Sequence, residues 1–283
     1  MLDLKISDVA VTSFVTLYCH AIESQSEDPI LIDTKAVELM TELNKILSGA
    51  NNRLYKNLVS GKLNKQLILH VAIRAKKYDR YVSDFLSKNP EGVVVNIGCG
   101  LDSRFFRIDN KKVVFYDLDL PEVIEIKKQF FNQNIRYHFI PTSVLDYSWM
   151  HIISKHKCPF LFIAEGVFMY LKKKDVKALI LKLQSEFSGS ELVCEVVNSL
   201  WLRKPLKKMV NLKMQQQLHL GKDATYGFGI RNSKEMEEWD KGIQFLDDWS
   251  YFDAGEKKLG WVNLFKNVKL FRMTQWTVHY KLN

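Results

Sequence analysis

The sequence is short of the residue patterns that would make it a metalloprotein, a disulfide-stapled module or a membrane protein. Its four cysteines, Cys19, Cys99, Cys158 and Cys194, lie far apart with no C-x-x-C pair, so neither a zinc site nor a disulfide framework is indicated. The histidines are scattered, and His151 and His156, five apart, do not share a helix face; no metal is expected. The longest apolar runs, such as Phe160 to Ala164, fall far below the ~18 residues that span a bilayer. The N-terminus, MLDLKISDVAVTSF, carries acids early and lacks a basic region leading into an apolar one, so no targeting signal is read and a reducing cytoplasm is the expected compartment. Neither G-x-S-x-G nor a Walker A pattern is present, which argues against a serine-hydrolase elbow or a P-loop.

The chain does have the means to fold around a large core. Of its 283 residues, 47% are hydrophobic, enough for one elaborated α/β domain. The formal charge of +9 comes from 41 bases mixed with 32 acids along the whole length, which reads as a solvated lysine-rich surface rather than a nucleic-acid stripe. Residues 1–90 hold no glycine before Gly49 and read as helices. Asp33 or Thr34 caps KAVELMTELNKIL, with Ala36, Leu39, Met40, Leu43 and Leu47 on one face, and a second helical stretch carries Leu67, Val71, Tyr78, Val82 and Phe85 to Asn89-Pro90. This half is expected to form a helical cap over the substrate.

The stretch VVVNIGCGLDSRFFRIDNKKVVFYDLDLP, from Val93 to Pro121, organises the rest of the chain. An apolar run reaches Gly98 and Gly100, and a second one ends in Asp117 and Asp119, about 20 positions after the first glycine, where a nucleoside ribose is gripped in nucleotide-binding sheets. Ser103 stands where a third glycine would complete G-x-G-x-x-G. Strands and helices then alternate in the manner of a parallel sheet covered on both faces. The expected strands are Val93 to Ile97, Lys112 to Leu118, Tyr137 to Ile140, Pro159 to Ala164 and Glu191 to Val197, with Pro121 opening one helix and Asp175 capping another that ends at Gly189. Beyond Asn198 come a basic segment from Leu200 to Leu220, a loop YGFGIRN, a capped helix SKEMEEW, an irregular strand IQFLDDWSYF, a helix GEKKLGWVNLF and a closing strand or hairpin at the sheet edge from Gln275 to Leu282.

Ligands of open α/β sheets bind at the carboxyl ends of the strands. There the sequence places Gly98, Cys99 and Gly100, then Asp117 and Asp119, then Asp146 in SVLDYSW beside Leu145 and Tyr147, then Glu165 and Tyr170 in AEGVFMYL. Asp146 alone would usually be a helix N-cap, and Tyr170 alone core packing. Acids in this order suit a cationic ligand and would repel phosphates, which favours a sulfonium cofactor over a dinucleotide. Arg104 and Arg107, close behind the turn, read as structural ion-pair partners or surface charges rather than ligand contacts.

The segments RAKKYDRYVSDFL, VVVNIGCGLDSRFFRI, VVFYDLDLPEVIEIKK, SVLDYSW and IAEGVFMYL resemble the leucine carboxyl methyltransferase superfamily, most closely its bacterial polyketide-type O-methyltransferase branch. The resemblance implies a class I, Rossmann-like methyltransferase: a mostly parallel seven-stranded sheet with an antiparallel edge hairpin, a helical N-terminal extension and an insertion after strand five. The domain would run over 1–283, with a cap over 1–90, a cofactor core over 91–198 and the insertion and edge strands over 199–283. It implies S-adenosyl-L-methionine as cofactor and S-adenosyl-L-homocysteine as product. Arg74 would pair with the cofactor carboxylate, Gly98, Cys99 and Gly100 would allow close backbone approach, and Asp119 with Leu120 would hold the ribose, with Asp117 as second choice. Asp146 and Tyr147 would hold the adenine and Glu165 the amino group, while Tyr170 and Arg74 would meet the substrate.

Methyl transfer to a carboxylate needs positioning rather than a base, an effect that supplies on the order of 7–11 kcal/mol. No general base for an alcohol stands out in the sequence, which favours a carboxylate or acidic hydroxyl of a small apolar acid or phenol. Trp201, Phe228, Trp239 and Trp249 are expected to line the acceptor cavity. The alternatives are a protein C-terminal carboxylate, a tRNA base held by Arg203, Lys204, Lys207 and Lys208, and a cofactor-binding module without turnover.

Overall fold

The computed structural model describes residues 8–49, 52–208 and 225–283. The N-terminal part forms helices α1 (Asp8–Ser24), α2 (Thr34–Leu47), α3 (Arg53–Val59) and α4 (Lys65–Lys88). Asp33 caps α2 by accepting the Ala36 N–H, and Asn52 and Asn64 cap α3 and α4 in the same way. Each such cap is worth about 1 kcal/mol. The apolar stripe of α2 is buried at Ala36, Leu39, Leu43 and Leu47, the face its spacing predicts.

The sheet contains β1 (Val93–Ile97), β2 (Val114–Asp119), β3 (Tyr137–Pro141), β4 (Phe160–Ala164), β5 (Ser190–Val197), β6 (Ile243–Trp249) and β7 (Gln275–Leu282), in the order β3-β2-β1-β4-β5-β7-β6. β1 to β5 pair in parallel, and β7 runs antiparallel to both β5 and β6. The closing strand is therefore second from the edge, and the edge itself is β6, with a register shift between Phe245 and Asp247. β1 and β4 are buried along their whole length, as central strands rich in apolar residues require, with Asn96 the one polar residue between them.

Alternation in β1 divides the core between the two faces. Val94 packs with α1, α2 and α4, together with residues of α5 (Arg104–Ile108) and α6 (Pro121–Lys127). Val93, Val95 and Ile97 pack with α7 (Trp149–Ile153) and α8 (Lys173–Glu186). The burial of each large apolar side chain contributes about 1.5–3 kcal/mol.

Several local expectations are corrected. α8 begins at Lys173 after Lys172 at the cap position, so Asp175 lies in the first turn rather than at the cap, where it complements the helix dipole. SKEMEEW makes only a 3-10 turn over Glu235–Glu238, because the Ser233 hydroxyl that would cap a helix instead bonds Asp248 and accepts from Trp276 Nε1. Lys257–Phe265 is 3-10 and breaks at Gly260, whose φ of 56° and ψ of −128° no helix accommodates. The basic segment Leu200 to Leu220 is described only as far as Lys208; its remainder lies outside the described residues.

The course of α4 matters most for the site. Its Phe85 ring lies against Gly92 at the start of β1, and its Tyr78 hydroxyl donates to the Ala164 carbonyl at the end of β4. Helix α4 therefore runs opposite to the strands, and its N-terminal half projects past their carboxyl ends.

Candidate active site

Strand register builds the site. Leu118, Ile97, Ala164 and Cys194 are aligned across β2, β1, β4 and β5. The next residue on each strand continues that row as Asp119, Gly98, Glu165 and Glu195. At about 4.8 Å per strand, the backbones of Asp119 and Glu165 stand about 10 Å apart with glycine between them. The row thus has an acid on either side of an open backbone position.

The glycine turn is locked from both sides. Gly98 and Gly100 have φ of 65° and 50°, and a Cβ on Gly98 would lie 2.3 Å from Cγ2 of Val167. Asp119 accepts the Gly100 N–H through Oδ2 and the Leu120 N–H through Oδ1, both at 2.7 Å. Lys127 of α6 donates to the carbonyls of Gly100 at 3.2 Å and Asp102 at 2.7 Å. Cys99 is buried, and burial pushes its thiol well above the ordinary range, so it is a neutral packing group.

Asp117 is not part of this surface. It points to the same side of β2 as Asp119, but two residues deeper, where Lys127 Nζ at 2.8 Å, Tyr137 Oη at 2.5 Å and Asn96 Nδ2 at 3.0 Å occupy its carboxylate. At 1% exposure it has no room for a ligand. Asp146, by contrast, is exposed on the loop after β3, where it accepts from the Ser148 N–H at 3.1 Å, with half-buried Tyr147 beside it. That hydrogen bond holds the Asp146 carboxyl below its usual range.

Arg74 of α4 joins the acids at the other end of the row. Its Nε donates to Glu165 at 2.7 Å and its Nη1 to Glu195 at 2.9 Å. Glu165 also receives Arg104 Nη2 at 2.6 Å. The chain of pairs continues through Asp79 and Asp102 to Arg107, and from Arg107 to Asp33, which also accepts from Ser103 and is bonded to His20. Burial opposes ionisation throughout. Arg74 and Arg104 nevertheless hold Glu165 below its ordinary range, and Arg104 and Arg107 hold Asp102 at about 2. Glu195 is the exception, raised by its burial. The cluster sets five carboxyl groups, Glu195 held toward its neutral form among them, against three guanidinium groups.

Tyr170, on the 3-10 turn Phe168–Tyr170, is half-buried near this end. Burial and then Glu195 push its hydroxyl up to about 12, and its ring centroid lies 5.7 Å from that of Tyr226. Of the four aromatic residues expected at the acceptor cavity, two pack into the core and one against a separate cluster. Phe228 is fully buried with Trp239 packed on it in the core, and Trp249 packs against a separate cluster around Leu259. Sequence reasoning missed Glu195, which reads as one more strand residue.

Comparison with known proteins bears on this arrangement. The model of the family described as leucine carboxyl methyltransferase matches residues 13–184. The chain belongs to the leucine carboxyl methyltransferase family. It is 27% identical over 252 residues to the tetracenomycin polyketide synthesis O-methyltransferase TcmP of Streptomyces glaucescens, covering 89% of this chain and 86% of that one. It is also 26% identical over 155 residues to leucine carboxyl methyltransferase 1 of Caenorhabditis elegans, covering 42% of this chain and 46% of that one. A solved DUF574 family protein of Streptomyces avermitilis shares the fold at a TM-score of 0.54 and 10% identity, covering 85% of this chain and 96% of that one. The chain is thus an S-adenosylmethionine-dependent methyltransferase with the class I fold. Among the described residues no helix is long and apolar enough to cross a membrane, and no group of metal-ligating side chains occurs.

Proposed function

We propose that this methyltransferase transfers a methyl group to oxygen, on a carboxylate or acidic hydroxyl of an apolar small molecule. The observation that carries the reading is the row Asp119, Gly98, Glu165, Glu195 with Arg74 bonded at its end, because it offers the right chemistry to each part of S-adenosylmethionine. Asp119 and Leu120 would hold the ribose hydroxyls, the backbone at Gly98, Cys99 and Gly100 would lie against the ligand, and Asp146 with Tyr147 would hold the adenine. Glu165 would take the amino group and Arg74 the carboxylate. The bound cofactor supplies an electrophilic sulfonium methyl; this chain supplies orientation, an anionic wall and exclusion of water. Tyr170 and Arg74 would face the acceptor. Support for oxygen as the acceptor atom and for a small molecule comes from the similarity to TcmP over most of both chains.

The test is incubation with methyl-labelled S-adenosylmethionine and a set of aromatic acids and phenols. Label in the organic extract supports the reading, and its base lability separates esters from ethers. Label found only in protein or tRNA would replace it with the corresponding alternative, and cofactor binding without transfer to any acceptor would make the chain a binding module.

A further inference from the structure

Five of the thirteen exposed large apolar side chains among the described residues stand within one short stretch: Trp261 at 68% exposure, Leu264 at 79%, and Val268, Leu270 and Phe271. Single exposed apolar residues are ordinary, but these form one patch. The Phe265 ring joins them, edge-on to Trp261 with centroids 6.0 Å apart and against Phe271 at 4.7 Å. Their exposure is built into the local fold. Leu259 is buried in a cluster with Leu69, Ala72 and Ile73 of α4, and Val262 packs on the same cluster. Lys258 is bonded to Glu23 of α1, and Arg272 to Asp253. With 261–265 in 3-10 conformation, residues three apart share a face, so seating Val262 inward turns Trp261 and Leu264 outward together.

The charge around the patch has one sign. From Lys257 to Asn283 the sequence holds no Asp or Glu. Lys257, Lys266 and Lys269 are exposed, and among the described residues they form no ion pair. We propose that this patch is a docking surface for an anionic lipid bilayer, with Trp261, Leu264 and Phe271 entering the boundary between headgroups and acyl chains and the three lysines lying on the headgroups. Aromatic and aliphatic side chains flanked by lysines are the composition that settles in such an interface, held by buried apolar area together with attraction to anionic lipid. A second copy of the chain fits poorly, because a two-fold contact through the patch would set its lysines against their own copies. An acidic protein would answer the lysines, but side chains as open as Trp261 and Leu264 are better met by a fluid apolar phase, which needs no complementary shape.

The patch belongs to the end of the molecule that carries the candidate site. Leu69, Ala72 and Ile73, which hold Leu259, lie in the half of α4 that projects past the carboxyl ends of the strands. Docking therefore brings that end of the sheet to a membrane surface, the phase into which apolar acceptors partition. The proposal goes beyond the methyltransferase reading and is independent of it, since binding alone tests it.

The experiment is flotation of the full chain with vesicles of equimolar phosphatidylglycerol and phosphatidylcholine, beside vesicles of phosphatidylcholine alone. Wild type should float with the anionic vesicles, less so as salt is raised, and at least about tenfold more weakly with phosphatidylcholine. Trp261→Ser combined with Leu264→Ser should weaken binding at least about tenfold, and Lys266→Glu combined with Lys269→Glu by a similar factor. Both pairs alter exposed side chains, and circular dichroism checks that the variants fold. Brominated acyl chains give a second readout: they should quench tryptophan fluorescence, and Trp261→Phe should remove most of that quenching. No flotation of wild type, or flotation unchanged in both double variants, would overturn the proposal. So would a dimer without flotation that the Trp261→Ser and Leu264→Ser pair abolishes, which would assign the patch to a second copy. Binding to polyglutamate but not to vesicles would overturn it in favour of an acidic protein.

Discussion

Arg74 Nε lies 2.7 Å from Oε1 of Glu165, so two residues expected to take opposite charges of one ligand are bonded to each other. In the proposed cofactor site the pair would serve as a preformed template: a zwitterionic amino-acid moiety would match it by exchange, with its ammonium for Arg74 on Glu165 and its carboxylate for Glu165 on Arg74. Arg74 keeps its second partner, Glu195, in either arrangement.

This gives the two acids different weights. Arg74→Ala leaves Glu165 and Glu195 buried with a partner missing and should destabilise the fold by about 3–5 kcal/mol. Glu195 is itself held toward its neutral form by burial, so Glu195→Gln should cost about 1 kcal/mol or less while weakening the grip on Arg74. Chemical denaturation of the two variants checks the order.

Arg104 is 1% exposed and bonds Asp79, Asp102 and Glu165. Arg104→Met strands all three carboxylates and should cost at least as much as Arg74→Ala, about 3–5 kcal/mol. Its expected signature is a lowered denaturation midpoint even with S-adenosylhomocysteine present.

The glycine turn predicts a steric result with a partial rescue. Gly98→Ala puts a Cβ against Val167 and also requires a left-handed residue, so it should abolish cofactor binding. Gly98→Ala combined with Val167→Ala removes the clash but not the backbone cost of about 1–2 kcal/mol, and should bind weakly. A titration of each variant with S-adenosylhomocysteine reads both terms.

A pH dependence arises from Asp102, whose folded value is depressed to about 2 against burial by Arg104 and Arg107. A depressed carboxyl contributes stability that is fully present above its unfolded value and is lost as pH falls toward the folded one. The stability gap between wild type and Asp102→Asn should therefore be widest above about pH 4 and should shrink toward pH 2. Unfolding curves at stepped pH test the sign.

The sequence made the strands legible because β4 is an uninterrupted apolar run and β1 is one broken only at Asn96, as central strands require, and it made the α2 cap legible because Asp33 precedes a clear stripe. The illegible features depend on contacts between distant positions. Arg104 and Arg107 could be read as ion-pair formers, but beside the neighbouring Asp102 their partners are the distant Asp79, Asp33 and Glu165. Asp117 and Asp119 share a strand face, and the presence of Lys127, Tyr137 and Asn96 beneath the turn takes the first out of reach. Aromatic content says nothing about which way a ring points, and Trp239 and Trp249 turn into packed clusters. Glu195 carries no motif, and its meaning comes from strand register.

The central claim is that Asp119 anchors a cofactor on the glycine turn. The most direct measurement is calorimetric titration of wild type and Asp119→Ala with S-adenosylhomocysteine. The account predicts saturable one-site binding by wild type and an affinity at least about tenfold lower in the variant, the loss of one charge-assisted hydrogen bond. No binding by wild type, or equal binding by both proteins, would contradict it.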